Sequence, residues 1–186
     1  MFRVSSRLLL VCTCLSVSAL PSYAADRLTR DSIQEYYDVS TKVQLKGGEE
    51  TMAFFKKHIG DEAKITVNAT TYIKGQEPAK ETVTHSKGKV LQATQAGYKA
   101  GYPVKLKSTI VSVDIAQDGR SARVKDTSHA IYMLTLPLDG SVGGRSAKFK
   151  SEQLMHCDST VFINSSNIIQ SGDAVCTSEI LMSEVE

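Results

Sequence analysis

The feature that most constrains the fold of this chain is a change of hydrophobic period at Gly60. Before Gly60, apolar residues recur at helical spacing. After it, apolar and polar residues alternate, first from Ile65 to Ile73 and then in long segments that extend to Met182. Alternation puts successive side chains on opposite faces of a strand, so one face of each segment can be buried. The order predicts a few helices followed by a sheet of long strands, which is an α+β architecture.

A first helix is predicted in the segment that ends at Gly47-Gly48. Ser32 and Glu35 have the spacing of a capping box, in which each side chain satisfies a free backbone donor of the other residue. The glycine pair is typical of a helix end. The apolar side of this helix is predicted to contain Ile33, Tyr36, Tyr37, Ser40 and Val43.

A second helix is predicted over residues 49–59. Two acids open this segment, and Lys56, Lys57 and His58 lie in its last turn. Charges in that order interact favourably with the helix dipole. We expect His58 to act through the dipole and through the free carbonyl groups of the helix end. The apolar face is predicted to contain Met52, Phe55 and Ile59.

Turn residues separate the alternating segments beyond Gly60. Gly75-Gln76-Glu77-Pro78 marks one turn, Asp118-Gly119 marks a hairpin, and Asp139 to Ser146 is a glycine-rich loop. A short third helix is predicted at 88–98, before a break at Gly101-Tyr102-Pro103. Strands are predicted at 65–73, 80–86, 104–115, 121–137, 147–163 and 168–182. We expect a curved antiparallel β-sheet with two to three helices packed on one face.

The first 24 residues have the composition of a secretory signal peptide. Arg3 and Arg7 form a basic start, Leu8 to Leu20 form an apolar stretch, and Ser22-Tyr23-Ala24 is a small-x-small cleavage site. The alternative is an uncleaved anchor helix, but thirteen residues are short for a bilayer. We expect cleavage after Ala24 and an exported protein, either periplasmic or extracellular.

Cleavage would leave a neutral chain. Residues 1–24 contain two of the 22 basic residues and none of the 20 acidic ones, so the net charge of +2 belongs to the signal. A neutral protein has no overall field that attracts nucleic acid or an anionic membrane. We predict a short polar lead at 25–31 and a single domain at 32–183, with no nucleic-acid partner and no membrane span.

The mature chain keeps two cysteines, Cys157 and Cys176. An even pair in an exported protein favours one disulfide, and the alternative is two buried free thiols. If the final hairpin turns around residues 165–168, then Asn164 faces Ile169. In that register Cys157 faces Cys176 on the buried side of the hairpin.

The chain contains none of the common catalytic motifs. It has no G-x-S-x-G elbow, no P-loop, no Rossmann glycine set and no H-E-x-x-H. His156 and Asp158 share the parity of a half-exposed strand, where a surface pair is more frequent than a catalytic one. We predict no catalytic residue, no metal site and no cofactor. Asn68 and Asn164 begin glycosylation sequons, and the sequence leaves their use open.

The order of the elements resembles that of a known superfamily. Two amphipathic helices, a strand pair and the tail IVSVDIAQDGRSARV … AKFKSEQLMHCDSTVFINSSNIIQSGDAVCTSEI are similar to nuclear-transport-factor-2-like proteins. That superfamily includes ketosteroid isomerase-like and SnoaL-like proteins. The resemblance covers about residues 30–183. It implies a cone-shaped, cystatin-like fold in which a bent sheet and the helices enclose an apolar pocket.

The resemblance also implies where a catalytic site would lie. Isomerase-like members place a carboxylate base inside the cone near the start of the first strand, and a tyrosine of the first helix donates a hydrogen bond. Tyr36 or Tyr37 matches the tyrosine, but the acids near that strand are Asp61 and Glu62 in the connecting turn. A carboxylate in a turn keeps its water, so its pKa is not expected to rise as proton abstraction requires. This departure favours a non-catalytic protein.

The predicted function is that of an exported binding domain that holds an apolar small molecule or a partner protein. The alternatives are a component of a cell-envelope or secretion assembly, and a small-molecule isomerase or dehydratase. A homodimer is left open. The predicted cavity lining is Tyr36, Tyr37, Phe55, Tyr132 and Met155, and the alternative is that these side chains only fill the core.

Overall fold

The computed structural model describes residues 26–137 and 146–185. The predicted signal peptide lies outside these residues, as does the predicted glycine-rich loop except for Ser146. Three helices precede or interrupt six strands. They are α1 (Arg30–Lys46), α2 (Gly48–His58), β1 (Lys64–Ile73), β2 (Ala79–Ser86), α3 (Lys87–Ala100), β3 (Gly101–Ile115), β4 (Ser121–Pro137), β5 (Ser146–Ile163) and β6 (Ile169–Glu184).

The strands form one open sheet in the order β2-β1-β6-β5-β4-β3. Neighbouring strands are antiparallel except for β1 and β6, which run parallel in the middle of the sheet. The predicted α+β class is confirmed, with a mixed sheet in place of a wholly antiparallel one. The parallel pair arises because β1 lies between β2, its partner in the first hairpin, and β6, the last strand of the chain.

The first helix begins three residues before the start that the predicted capping box implies. Thr29 is the N-cap, and its hydroxyl accepts a hydrogen bond from the Ser32 backbone, while the Ser32 hydroxyl accepts one from the Thr29 backbone. The capping box predicted for Ser32 and Glu35 is therefore wrong by three positions. The residue before the cap is buried, since Leu28 is in the core and its N–H donates to the Gly119 carbonyl.

The second helix lies one residue earlier than the predicted range of 49–59, and it buries a different side. Phe54, Phe55 and His58 are buried, whereas Met52 is only partly buried. Ile59 is already extended and pairs with a residue of β6, so it belongs to the chain after the helix. The buried side is therefore rotated by about one residue from the predicted one, and it includes Phe54, which the predicted face did not contain.

The third helix is confirmed, and the predicted break after it is wrong. Gly101 begins β3 and pairs with Leu134 of β4. A Cβ atom at position 101 would clash with the Met133 carbonyl oxygen. Glycine is required there because the two strands approach too closely for a side chain, not because the chain stops.

The final hairpin confirms the predicted pairing of the cysteines. Cys157 lies opposite Cys176, and they form a disulfide with Cα atoms 4.1 Å apart. The neighbouring predicted pairs also hold, since Gln153 faces Ile180 and Met155 faces Ser178. The cysteine that lies on β6 is 1% exposed, as expected for the buried side.

Nearer the turn the predicted register is wrong by one residue. Ile163, and not Asn164, pairs with Ile169. A register shift between Ser159 and Val161 absorbs the difference, because three steps along β6 there match two steps along β5. Gly172 lies within this shift, and a glycine inside a strand pattern is the sequence signal of a bulge that the predicted register did not use.

The buried side of the sheet is here called the inner face. On β4 it comprises every second residue from Ala122 to Leu136, and the same rows continue across β5, β6 and β1. The opposite side, the outer face, carries the alternate residues. In the described part of the chain no helix is long and apolar enough to cross a membrane.

Candidate functional site

The inner face contains a carboxylic acid that the sequence analysis did not identify. Asp126 lies on β4 between Val124 and Ser128 on the buried parity, and it is 7% exposed. Its direct neighbour across β5 is Cys157 of the disulfide. The signal for Asp126 was present in the sequence, because it interrupts a run of alternate apolar residues that predicts burial.

Tyr37 of α1 binds the Asp126 carboxyl. The Tyr37 hydroxyl donates to Asp126 Oδ1 at 3.2 Å and lies 3.3 Å from Ser159 Oγ. Burial raises the pKa of Asp126 to about 6, and the hydrogen bond from Tyr37 opposes that rise. Burial and the neighbouring carboxylate raise the pKa of Tyr37. The pair therefore holds a proton more tightly than an exposed tyrosine and aspartate would.

Tyr36, the preceding residue, reaches a different strand. Its hydroxyl lies 2.9 Å from Ser171 Oγ on β6 and donates to the His58 carbonyl at 3.4 Å. Burial raises the pKa of Tyr36 well above its ordinary value. The rings of Tyr36 and Tyr37 meet edge to face with centroids 5.9 Å apart. One turn of α1 thus places two tyrosine hydroxyls among buried serines of the sheet.

His58 is buried and uncharged, so its predicted role at the helix end is wrong. Its ring stacks on Phe54 with centroids 4.1 Å apart, and its Nδ1–H donates to the Ile169 carbonyl at 2.8 Å. Burial lowers the pKa of His58 to about 4. A neutral imidazole cannot stabilise the dipole as a cation does. Among the described residues, Nε2 has no hydrogen-bond partner.

Uncharged polar side chains continue along the inner face from Asp126. Gln153 Nε2 donates to Ser178 Oγ at 2.6 Å, and both residues are buried. Buried polar residues in the adjoining rows are Thr71, Ser128 and Ser151. We call these five residues the polar band. A sheet face that only fills a core is normally apolar, so the band is unusual for a purely structural surface.

The five predicted lining residues are all buried. Tyr36 and Tyr37 meet in the cluster described above. Met155 pairs with Ser128 and Tyr132 pairs with Ser151, so both lie within the polar band's rows. Phe55 belongs to the core beneath α2. Their role in binding a ligand stays a prediction.

Two cavities border other parts of the described residues. One of about 700 Å³ lies between α2 and α3, with Met52, Ala53, Leu91 and Tyr98 among its walls. Another of about 410 Å³ surrounds the segment from Gly60 to Ala63. Neither is bordered by a predicted lining residue.

The other candidate residues lie on the outside of the molecule. His156 Nδ1 is 3.0 Å from the Thr127 hydroxyl, and Asp158 accepts two hydrogen bonds from Arg123, so the two are not a catalytic pair. Asp61 in the turn is exposed, and Lys87 lowers its pKa. Within residues 26–137 and 146–185 no group of three or more histidine, cysteine or acidic side chains is placed to hold a metal ion.

Comparison with known proteins gives structural matches only. No family model matches the chain, and no curated protein matches it. Similar solved structures include a ketosteroid isomerase-like protein from Erwinia carotovora atroseptica, at TM-score 0.40 and 9% identity, covering 86% of this chain and 98% of that one. An NTF-2 like protein from Silicibacter pomeroyi has TM-score 0.40 and 12% identity, covering 80% and 98%.

A third similar structure is Aln2 from a Streptomyces species, with TM-score 0.46 and 15% identity, covering 86% of this chain and 94% of that one. No activity, ligand or partner is transferred from these structures.

Proposed function

We propose that the protein binds a small organic molecule between its helices and the inner face of the sheet. The observation that supports this is the polar band next to Asp126, on a face whose other residues form the core. Burying hydrogen-bonding groups costs free energy unless they are paired. The hydrogen bond between Gln153 and Ser178 reduces that cost, and the polar side chains of the band can also orient a ligand, while Met155 and Tyr132 offer it apolar surface.

Native mass spectrometry of the protein purified from its own host tests this proposal. A bound small-molecule mass is expected on the wild type and on Arg123→Ala, which changes only the outer face. The bound fraction should fall for Gln153→Leu, which keeps side-chain volume but removes the amide. Protein that is free of any small molecule from every host preparation, and that takes up none from an apolar metabolite extract, would contradict the proposal.

A second candidate function is proton transfer in a small-molecule isomerase or dehydratase. It is favoured by the Asp126 carboxyl, whose pKa is raised to about 6 beside the Tyr37 hydroxyl. A general base works best with a pKa near the operating pH. NMR in D₂O with a panel of small ketones would detect exchange of their α-protons. Exchange lost in Asp126→Asn and kept in Arg123→Ala would support an enzyme, and no exchange with any ketone would count against it.

We also propose that the protein is exported. The disulfide between Cys157 and Cys176 is compatible with an oxidising compartment. The predicted cleavage after Ala24 is tested by N-terminal sequencing of protein from the periplasm or medium. A first residue of Ala25 is expected, and an intact Met1 on membrane-bound protein would overturn the proposal.

The outer face supports a proposed homodimer. Tyr72 of β1 and Leu181 of β6 are paired neighbours there and are 41% and 57% exposed. Val175 and Leu154 are exposed on the same face. Apolar side chains grouped on an open sheet face favour association. Sedimentation should give a dimer for the wild type and a monomer for Leu181→Arg, and a wild-type monomer at high concentration would rule the dimer out.

A further inference from the structure

Among the described residues, the interior contains a buried acid and no lysine or arginine to pair with it. In the part of the chain that the structure describes, no lysine or arginine is buried, and the buried polar residues with an ionisable acid or imidazole are Asp126 and His58. His58 is neutral above about pH 4 and is held by the Ile169 carbonyl. Any negative charge on Asp126 therefore remains without a protein counter-ion.

Tyr37 is the hydrogen-bond donor to the Asp126 carboxyl among the described residues. From α1 it donates to Oδ1, while on β5 Cys157 is the residue paired with Asp126 and Ser159 contacts the Tyr37 hydroxyl. From β3, the paired residue is Ile110. No described residue donates a hydrogen bond to Oδ2, although an ionised carboxylate can accept about four.

The remaining surroundings also suit a positive charge. The rings of Tyr36 and Tyr37 lie edge to face, and the Tyr37 hydroxyl contacts the carboxyl. Aromatic rings attract cations, and hydroxyl oxygens accept hydrogen bonds from ammonium groups. Ser128 stands two residues along β4 from Asp126 on the same face, where the polar band begins.

We propose that the molecule bound on the inner face is an organic amine, with its ammonium group against Asp126 and its apolar body along Met155 and Tyr132. This inference rests on the proposed function and specifies its ligand class. An amine supplies the counter-charge that the interior lacks. A carboxylate ligand would place a second negative charge in a poorly solvated site, where like charges repel strongly.

Three probes with the same eight-carbon chain separate head-group charge from apolar contact. Octylamine, octan-1-ol and octanoate are titrated into the full-length mature protein by calorimetry near neutral pH, below their aggregation limits. Octylamine is expected to bind about tenfold or more tightly than octan-1-ol, since a hydrogen bond to a charged group contributes more than a neutral one. Octanoate is expected to bind most weakly.

Asp126→Asn is the matched variant, because it keeps the shape and an acceptor for Tyr37 while it removes the charge. We expect it to bind octylamine and octan-1-ol equally, with octan-1-ol affinity unchanged from wild type. Thermal melting confirms that it is folded, and Arg123→Ala, which changes only the outer face, should keep the wild-type preference.

The outcomes distinguish this inference from the proposal on which it rests. Equal affinity of the wild type for all three probes would overturn the amine ligand and leave small-molecule binding supported. A preference for octylamine that persists in Asp126→Asn would overturn the role of Asp126. Failure of all three probes to bind would contradict the proposed function and the amine ligand together.

Discussion

The two faces of the central strands differ in whether their charged side chains have partners of opposite charge. On the outer face, Arg123 meets Asp158 at 2.7 Å and His129 Nε2 lies 2.8 Å from Glu152, so these polar side chains have partners across neighbouring strands. On the inner face of the same strand, Asp126 accepts a hydrogen bond from the Tyr37 hydroxyl, and the described residues include no buried lysine or arginine to pair with it. A strand that pairs its exposed charges but leaves a buried one unpaired is not arranged for stability alone.

An unpaired charge costs a different amount of free energy on the two faces. An exposed ion pair contributes little to folding because water already solvates both groups. Burying an ionised carboxyl group without a counter-ion costs far more free energy. Its pKa therefore rises, and the group stays protonated to a higher pH. Substitutions on the inner face should therefore change the free energy of unfolding more than matched substitutions on the outer face.

Removal of the inner-face disulfide should have the largest effect. Cys157→Ala with Cys176→Ala is expected to lower the free energy of unfolding by about 2–4 kcal/mol, because the bridge restricts the unfolded chain. Urea unfolding followed by circular dichroism measures the change. His156→Ala with Thr177→Ala is the matched control, since these residues are the adjacent pair on the outer face. Equal losses in the two double variants would remove the distinction between the faces.

Asp126 should make stability fall as pH rises. Its pKa is raised from 3.8 to about 6, so the folded state holds the proton more tightly than the unfolded state. The stability that this provides is fully present below pH 3.8 and is lost as the pH rises through about 6. Asp126→Asn cannot titrate, so it should gain up to roughly 3 kcal/mol relative to wild type over that interval.

The measurement is the difference between the two proteins across pH, because His58 contributes the opposite slope to both. The pKa of His58 is lowered from 6.5 to about 4, so its contribution is present above pH 6.5 and is lost as the pH falls. A constant difference between wild type and Asp126→Asn from acid to neutral pH would show that Asp126 keeps an ordinary pKa.

The order of helices and strands could be predicted from the sequence, because helices and strands differ in the spacing of their apolar residues. The apolar spacing before and after Gly60, with the turn residues, predicted three helices and six strands. The pairing of Cys157 with Cys176 followed from the final hairpin. What it did not supply was the exact turn register, since the one-residue shift near Ser159 depends on contacts with distant parts of the chain. The capping box was misplaced for a related reason, because Thr29 and Ser32 compete with a second pair of the same spacing.

The candidate site was only half predictable. Tyr36 and Tyr37 were identified from the helical stripe, but their hydroxyl partners lie on strands more than eighty residues away or across the sheet. Asp126 was overlooked because an acid on a buried parity contradicts the usual expectation that acids are exposed. The alternation from Ala122 to Leu136 places Asp126 on the buried side of β4 and so predicts its burial.

Loss of the Tyr37 hydroxyl should have an intermediate effect that is specific to the inner face. Tyr37→Phe removes the hydrogen bond to Asp126 and the contact with Ser159, at a cost of about 1–2 kcal/mol. Because that hydrogen bond lowers the pKa of Asp126, the pKa should rise further in the variant. NMR titration of the carboxyl carbon measures it. Tyr36→Phe is the control, since its hydroxyl contacts Ser171, and an equal pKa change in both variants would contradict a direct role for Tyr37.

The smallest effect is expected on the outer face. Arg123→Ala breaks two hydrogen bonds to Asp158, at 2.7 and 2.8 Å, yet the guanidinium side chain is 66% exposed. Water replaces the lost partner, so the unfolding midpoint should not change measurably, and high salt should remove any residual difference. The pKa of Asp158 should return upward to its ordinary range, because the hydrogen bond from Arg123 is what lowers it. A loss of stability from Arg123→Ala as large as that from Tyr37→Phe would mean that the sheet does not separate a structural outer face from a functional inner one.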